Sequence, residues 1–125
     1  MKNQINLSEL EWQIMQVLWQ KGVMSVREVW QTLFPDAEKA YTTVQTYMDR
    51  MVEKGLLRKQ KIGLVNYYHA ALDKNSLLEN ATENLVSQAF GGSFFRLAAF
   101  LLESPKLSPE ELEQIKQLIR SREEA

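Results

Sequence analysis

Residues 40–55, AYTTVQTYMDRMVEKG, can bury their apolar side chains in only one way. With each residue turning about 100° around a helix axis, Val44, Met48, Met51 and Gly55 share a narrow arc, and Val52 lies beside it. A strand would group Val44 with Thr46 and Met48 and leave no consistent apolar face. The segment therefore predicts a helix over 40–54, closed by a C′ glycine at Gly55. That helix carries three threonines, whose branched β-carbons lose rotamer freedom against the preceding turn. None lies on the apolar stripe. Thr42, Thr46 and Asp49 point directly away from it, with Thr43 and Arg50 on the same outward side. Short hydroxyl side chains there answer to something other than the stability of the helix.

The flanking sequence gives this helix its place. Ser8-Glu9-Leu10-Glu11 has the form of a capping box and opens a first helix with Leu10, Ile14, Val17 and Leu18 inward, ended by Gly22. Ser25-Val26-Arg27-Glu28 repeats the device for a second helix that buries Val26, Val29, Trp30 and Leu33 and closes at Pro35. After Gly55, residues 56–61 and 66–70 flank a short connection containing Gly63 and read as a β-hairpin. Three helices followed by a hairpin is the order of a winged helix. The remainder holds a helix with Leu77, Leu78, Ala81, Leu85, Val86 and Phe90, broken at Gly91-Gly92. A nearly all-apolar helix over 94–102 follows, and Ser108-Pro109-Glu110-Glu111 opens the last one. The expected fold is mainly α with a small β-hairpin: a winged helix-turn-helix domain over 1–71, then a three-helix dimerisation region over 72–125.

Composition narrows the chemistry. There is no cysteine, hence no disulfide framework and no thiolate metal site or nucleophile. The single histidine, His69, cannot form a His–His metal pair and is expected as a strand-end polar residue. The first residues lack the apolar core of a signal peptide, and the most apolar stretch is far shorter than the about 20 residues of a spanning helix. A cytoplasmic protein without membrane insertion is expected. Carboxylates are plentiful but fall at helix caps and on exposed faces; no phosphate-binding glycine loop or nucleophile–base pair accompanies them, so no enzyme, metal or cofactor is expected.

The net charge of −1 hides a gradient. Residues 1–71 carry an excess of two positive charges, and residues 72–125 an excess of three negative ones. Arg50, Lys54, Arg58, Lys59 and Lys61 fall within twelve residues that include one acid, Glu53. Such a cluster is either a solvated face or an anion-binding surface. Position favours the second. In a helix-turn-helix, the second helix of the motif presents its early residues to base edges in the major groove. A threonine hydroxyl can donate or accept there, and its methyl can meet a thymine methyl. Thr42, Thr43 and Thr46 are thus candidates for base readout, with Tyr41, Arg50, Arg58, Lys59 and Lys61 as candidate phosphate contacts that set register and affinity. Threonines serving as helix caps or as tolerated surface residues would be the plainer account. Tyr47 flanks the core arc and reads as packing, and Tyr41 fits either role. A winged helix used for protein–protein assembly, its basic hairpin meeting an acidic partner, is the alternative from another class.

The C-terminal stretch poses a burial problem. Roughly fifty residues are too few for an independent core. Eight of the nine residues Phe94–Leu102 are apolar, so that helix needs cover on nearly every side. It could pack back on its own N-terminal domain, but a second copy is the economical cover. The expected homodimer interface comprises Leu78, Leu85, Phe90, Phe94, Leu97, Phe100 and Leu101, and two reading heads related by a two-fold axis imply a palindromic double-stranded DNA site.

In order along the chain, SELEWQIMQVLW, TTVQTYMDRMVEKGLL, NYYHAAL and AFGGSFFRLAAFLLESPKLSPEELEQIKQLI resemble the penicillinase-repressor family, the BlaI/MecI/CopY transcriptional regulators, over residues 7–119. The resemblance implies a winged-helix repressor that dimerises through C-terminal helices and binds a palindromic operator. It places Thr43 and Thr46 at the family's recognition threonines. Three departures stand out. Many relatives have lysine where Thr42 stands, and the wing arginine common after the turn glycine is Leu64 here. The Asn-Phe bond cleaved in inducible β-lactam members aligns with Phe100-Leu101, so that specificity does not carry over. The cysteine motifs of copper-responsive relatives are missing, which argues against copper sensing of that type. The family also implies a membrane-bound sensor protease as a partner that clips the helix over 94–102.

Overall fold

The computed structural model describes residues 6–125. Three helices come first: α1 (Glu9–Lys21), α2 (Val26–Leu33) and α3 (Tyr41–Glu53), with a two-residue strand β1 (Met24–Ser25) between the first two. Strands β2 (Leu57–Ile62) and β3 (Val65–Ala70) form the hairpin, and α4 (Lys74–Ala89), α5 (Phe94–Leu102) and α6 (Pro109–Glu124) complete the chain. Mainly helical architecture with a winged helix-turn-helix at the front matches the expectation.

The sheet is larger than expected by one strand. Its order is β1-β3-β2, all antiparallel, so β3 runs down the middle and pairs through Met24↔Tyr68 and Ser25↔Tyr67 on the side away from β2. Met24 and Ser25 are both buried. A two-residue strand has no periodicity to read, which is why the sequence shows only a hairpin.

Local signals explain most helix ends. In α1 the Ser8 hydroxyl accepts from the Glu11 N–H, and the Glu11 carboxylate accepts from the Ser8 N–H. Ser25 and Glu28 repeat this reciprocal pair at α2, as do Ser108 and Glu111 at α6. The α3 helix ends as Gly55 foretells: its φ is +81°, its N–H donates to the Val52 carbonyl, and the Leu56 N–H donates to the Met51 carbonyl. These two bonds form a Schellman motif, which a residue with a β-carbon enters only at a cost.

Two compact units divide between Ala81 and Thr82, within α4. In the first, Ile14, Met15, Val29, Val44, Met48 and Met51 are fully inaccessible at the centre of one continuous core. Leu77 belongs to the same core, and the Trp19 indole N–H donates to the Leu72 carbonyl at 2.9 Å. The start of α4 is therefore built into the winged-helix unit, and the expected division after Ala71 falls short of the observed one.

The second unit, by itself, is differently made. Val86 is buried, and the rings of Phe90 and Phe100 meet edge-on at 5.7 Å. The Ser93 hydroxyl caps α5 by accepting from the Arg96 N–H. Yet α5 buries none of its residues completely, and neither does α6. Among the described residues, no single helix is long and apolar enough to cross a membrane.

Candidate nucleic-acid interface

Helix α3 is fixed from below. Val44, Met48 and Met51 are fully inaccessible. On the other side Thr42, Gln45, Thr46 and Arg50 are exposed, and Thr43 is half-buried. A shallow depression is lined by Thr42, Thr43, Thr46 and Tyr47. The threonines are not helix caps: the N-cap residue is Ala40, which makes no side-chain capping bond. None of the three makes a side-chain hydrogen bond among the described residues.

Tyr41, at the first position of α3, is held by two neighbours from α2. Its ring meets Trp30 edge-on at 5.8 Å, and the Arg27 guanidinium carbon lies 5.1 Å from its centroid. Trp30 in turn donates its indole N–H to the Lys39 carbonyl at 2.8 Å, which ties down the loop entering α3. Tyr41 thus packs and at the same time holds a cation beside α3. Arg27 was not singled out by the sequence, because it stands fourteen positions before Tyr41 on another helix and nothing local marks it. An open cleft of about 640 Å³, lined in part by Arg27, Tyr41, Gln45, Leu64, Asn66 and Tyr67, lies between α2, α3 and the hairpin.

The hairpin turns through Gly63 and Leu64 between the paired residues Ile62 and Val65. Gly63 has a φ of +64° and Leu64 has an ordinary negative value, the arrangement of a type II′ turn with glycine first. Alternation along the strands then divides the basic residues. Lys59 stands opposite Tyr68 and Lys61 opposite Asn66, so these four share one face of the sheet; Arg58 stands opposite His69 on the other face. The sequence grouped Arg58, Lys59 and Lys61 together, but the structure puts only the two lysines on one side. Leu64 is 95% exposed at the tip. His69, half-buried, is the next-to-last residue of β3, near the strand end as expected.

Two of the basic residues already have partners. The Lys54 ammonium lies 2.8 Å from the Glu11 carboxylate, which is itself part of the α1 capping box. Burial pushes the Glu11 carboxyl up, but the Lys54 hydrogen bond and charge and the Ser8 donors outweigh it, and the group ends below its ordinary value. Lys54 therefore bolts the end of α3 to the start of α1 and is structural. Lys59 lies 3.7 Å from the Asp49 carboxylate on α3. Asp49, which periodicity points straight outward, is half-buried because Tyr68 donates its phenolic proton to it at 2.8 Å.

A helix with an exposed polar face, seated on a packed helical pair and followed at once by a basic hairpin, defines the class: a winged helix-turn-helix DNA-binding protein. The model of the family described as penicillinase repressor matches residues 7–121. The chain belongs to the penicillinase repressor family, a family of DNA-binding transcriptional repressors rather than enzymes. It is 26% identical to a penicillinase repressor of Bacillus licheniformis over 119 residues, which is 95% of this chain and 93% of that one. It is 20% identical to the methicillin resistance regulatory protein MecI of Staphylococcus aureus over 93% of this chain and 94% of that one. Among solved structures, the DNA-binding domain of the repressor BlaI superposes with a TM-score of 0.52 at 30% identity, covering 59% of this chain and 90% of that domain. The B. licheniformis BlaI monomer in complex with the blaP half-operator superposes with a TM-score of 0.50 at 29% identity, covering 60% and 92%.

Proposed function

We propose that this chain is a homodimeric, sequence-specific repressor that reads a palindromic operator through α3 and the β2–β3 hairpin. The observation that carries the reading is the opposition on α3, where fully buried Val44, Met48 and Met51 hold an accessible Thr42–Thr46 face in place. Thr42, Thr43 and Thr46 contact base edges in the major groove. Tyr41, Arg50, Lys59 and Lys61 contact phosphates, joined by Arg27, which the Tyr41 ring holds beside them. Arg58, on the opposite face of the hairpin, contributes least. The complex of BlaI with its half-operator supports this placement by likeness of fold and sequence.

The dimer is supported by what α5 leaves uncovered. Phe94, Phe100 and Leu101 are exposed, as are Leu78 and Leu85 on α4, while Phe90 and Leu97 are half-buried. Covering the exposed part of each of these side chains is worth on the order of 1 kcal/mol, and a two-fold axis applies every gain twice. Repression then ends when the dimer is broken. A membrane-bound sensor protease that cuts within α5 in the cytoplasm is the route the family suggests. Mass spectrometry of the chain from induced cells checks it, since an intact chain in cells with open target genes rules the protease out.

Fluorescence anisotropy against random duplex over a range of salt tests DNA binding itself. The logarithm of affinity should fall linearly with that of salt, with a slope of about −0.9 per phosphate neutralised. An assembly module would show little binding even at low salt.

A further inference from the structure

Asp49 is an odd residue to find where it is. It follows Thr46 by one turn on the same side of α3, so it brings a negative charge towards DNA phosphates. Its neighbours show what it does. Tyr68, from the central strand, is only 1% exposed, and its hydroxyl donates to Asp49 Oδ1 at 2.8 Å. Lys59, directly across the sheet from Tyr68, brings its ammonium to 3.7 Å from the same oxygen. One carboxylate oxygen thus joins α3, β2 and β3. Burial and then the Asp49 carboxylate push the Tyr68 phenol well above its ordinary range, so it stays a proton donor at any physiological pH. Lys59 is drawn towards the helix, whereas Lys61, two residues along the same strand face, makes no ion pair among the described residues.

We infer that Asp49 is a positioning residue which, by holding Tyr68 and Lys59 on one oxygen, sets the hairpin at a fixed reach from the threonine face of α3. The inference rests on the DNA-binding reading and deepens it. A hairpin fixed to the reading helix meets phosphates only when the bases under the threonines are in register, so the tie couples affinity to sequence. Free of Asp49, Lys59 becomes one more mobile cation that binds any duplex.

The test uses the full-length chain with Asp49→Asn, Tyr68→Phe, Lys59→Ala and the Asp49→Asn/Lys59→Ala pair, each confirmed as folded by circular dichroism. Binding to random duplex and to an operator obtained by selection is measured over a salt series. Asp49→Asn should bind random duplex several-fold more tightly, with a slope steeper by about one counterion. Its preference for operator over random duplex should fall about tenfold. Lys59→Ala in the same chain should restore the shallower slope. Tyr68→Phe, which keeps every charge, should leave random binding unchanged and weaken operator binding several-fold. Amide hydrogen exchange in the free protein supplies a readout that needs no DNA: β2 and β3 amides should exchange faster in Tyr68→Phe and Asp49→Asn. If Asp49→Asn tightens both duplexes equally and does so without Lys59, the carboxylate only repels phosphates and the inference is overturned. Unchanged hairpin exchange overturns it as well. A wild-type chain that binds no duplex at low salt removes the DNA-binding reading instead, and exchange alone then decides whether the tie exists.

Discussion

The N-terminal unit encloses most of its helical apolar side chains within one chain, while the C-terminal unit leaves most of its own in the open. In the first, Ile14, Val29, Val44, Met48 and Met51 have no accessible surface at all. In the second, Phe95 is 79% exposed, Phe100 64% and Leu118 69%. Both units have good helix caps, so the difference does not lie in local helix signals. It lies in what the apolar faces are built to meet. The first unit uses its apolar residues to hold a polar helix face towards an outside partner. The second presents apolar residues as the contact surface itself. One folding unit belongs to the DNA-binding winged-helix class, and the other carries the apolar face proposed above as the seat of a second copy.

The sharpest way to break this comparison is a charge in the open unit. Leu101→Glu should abolish the proposed dimer while leaving the winged helix folded, since covering the exposed half of Leu101 in both copies is worth about 1.5–3 kcal/mol, before any cost of the charge. Sedimentation equilibrium should then give the mass of a single chain at concentrations where the parent is paired. A dimer that survives would mean α5 is not the interface. In the closed unit the response should be the reverse. Met48→Ala leaves a cavity under α3 and should lower unfolding free energy by about 2–5 kcal/mol in urea, with the C-terminal helices able to pair as before.

Smaller effects sharpen the division of labour at the hairpin. Lys61→Ala should weaken operator and random duplex alike and make the salt slope shallower by about 1. Arg58→Ala, facing the other way, should change the slope less. Equal slopes for the two variants would mean both strand faces meet DNA. The smallest effect concerns the bolt between α1 and α3. Glu11→Gln should cost about 1–2 kcal/mol at neutral pH through the lost charge-assisted bond to Lys54. Because the Glu11 carboxyl titrates lower folded than unfolded, its contribution is present above its unfolded value near 4.5 and is lost as pH falls through the folded one. Urea titrations at pH 7 and pH 3 should therefore show the gap between parent and variant closing in acid.

Much of this was legible in local spacing. The three serine–glutamate capping boxes, the Val44–Met48–Met51 stripe and the Gly55 stop each reside within a few residues and came out where expected. The features that escaped are long-range. Tyr68 reaches Asp49 across 19 positions, Lys54 reaches Glu11 across 43, and Trp19 reaches Leu72 across 53. No window of sequence contains both ends of such a bond. Periodicity also turned Asp49 outward, because it describes one helix and knows nothing of the sheet that packs beside it, while mere closeness in sequence grouped Arg58 with Lys59. The threonine face was readable for the opposite reason: it is defined by what it does not touch.

Selection of bound duplexes from a random pool, run in parallel on the parent chain and Thr46→Ala, tests the role of that face most directly. The parent should return two half-sites related by a two-fold axis. Thr46→Ala should lose the preference at one base pair in each half-site, with about 1–3 kcal/mol less discrimination there and other positions unchanged. An identical consensus from both chains would show that α3 does not read sequence through its threonines.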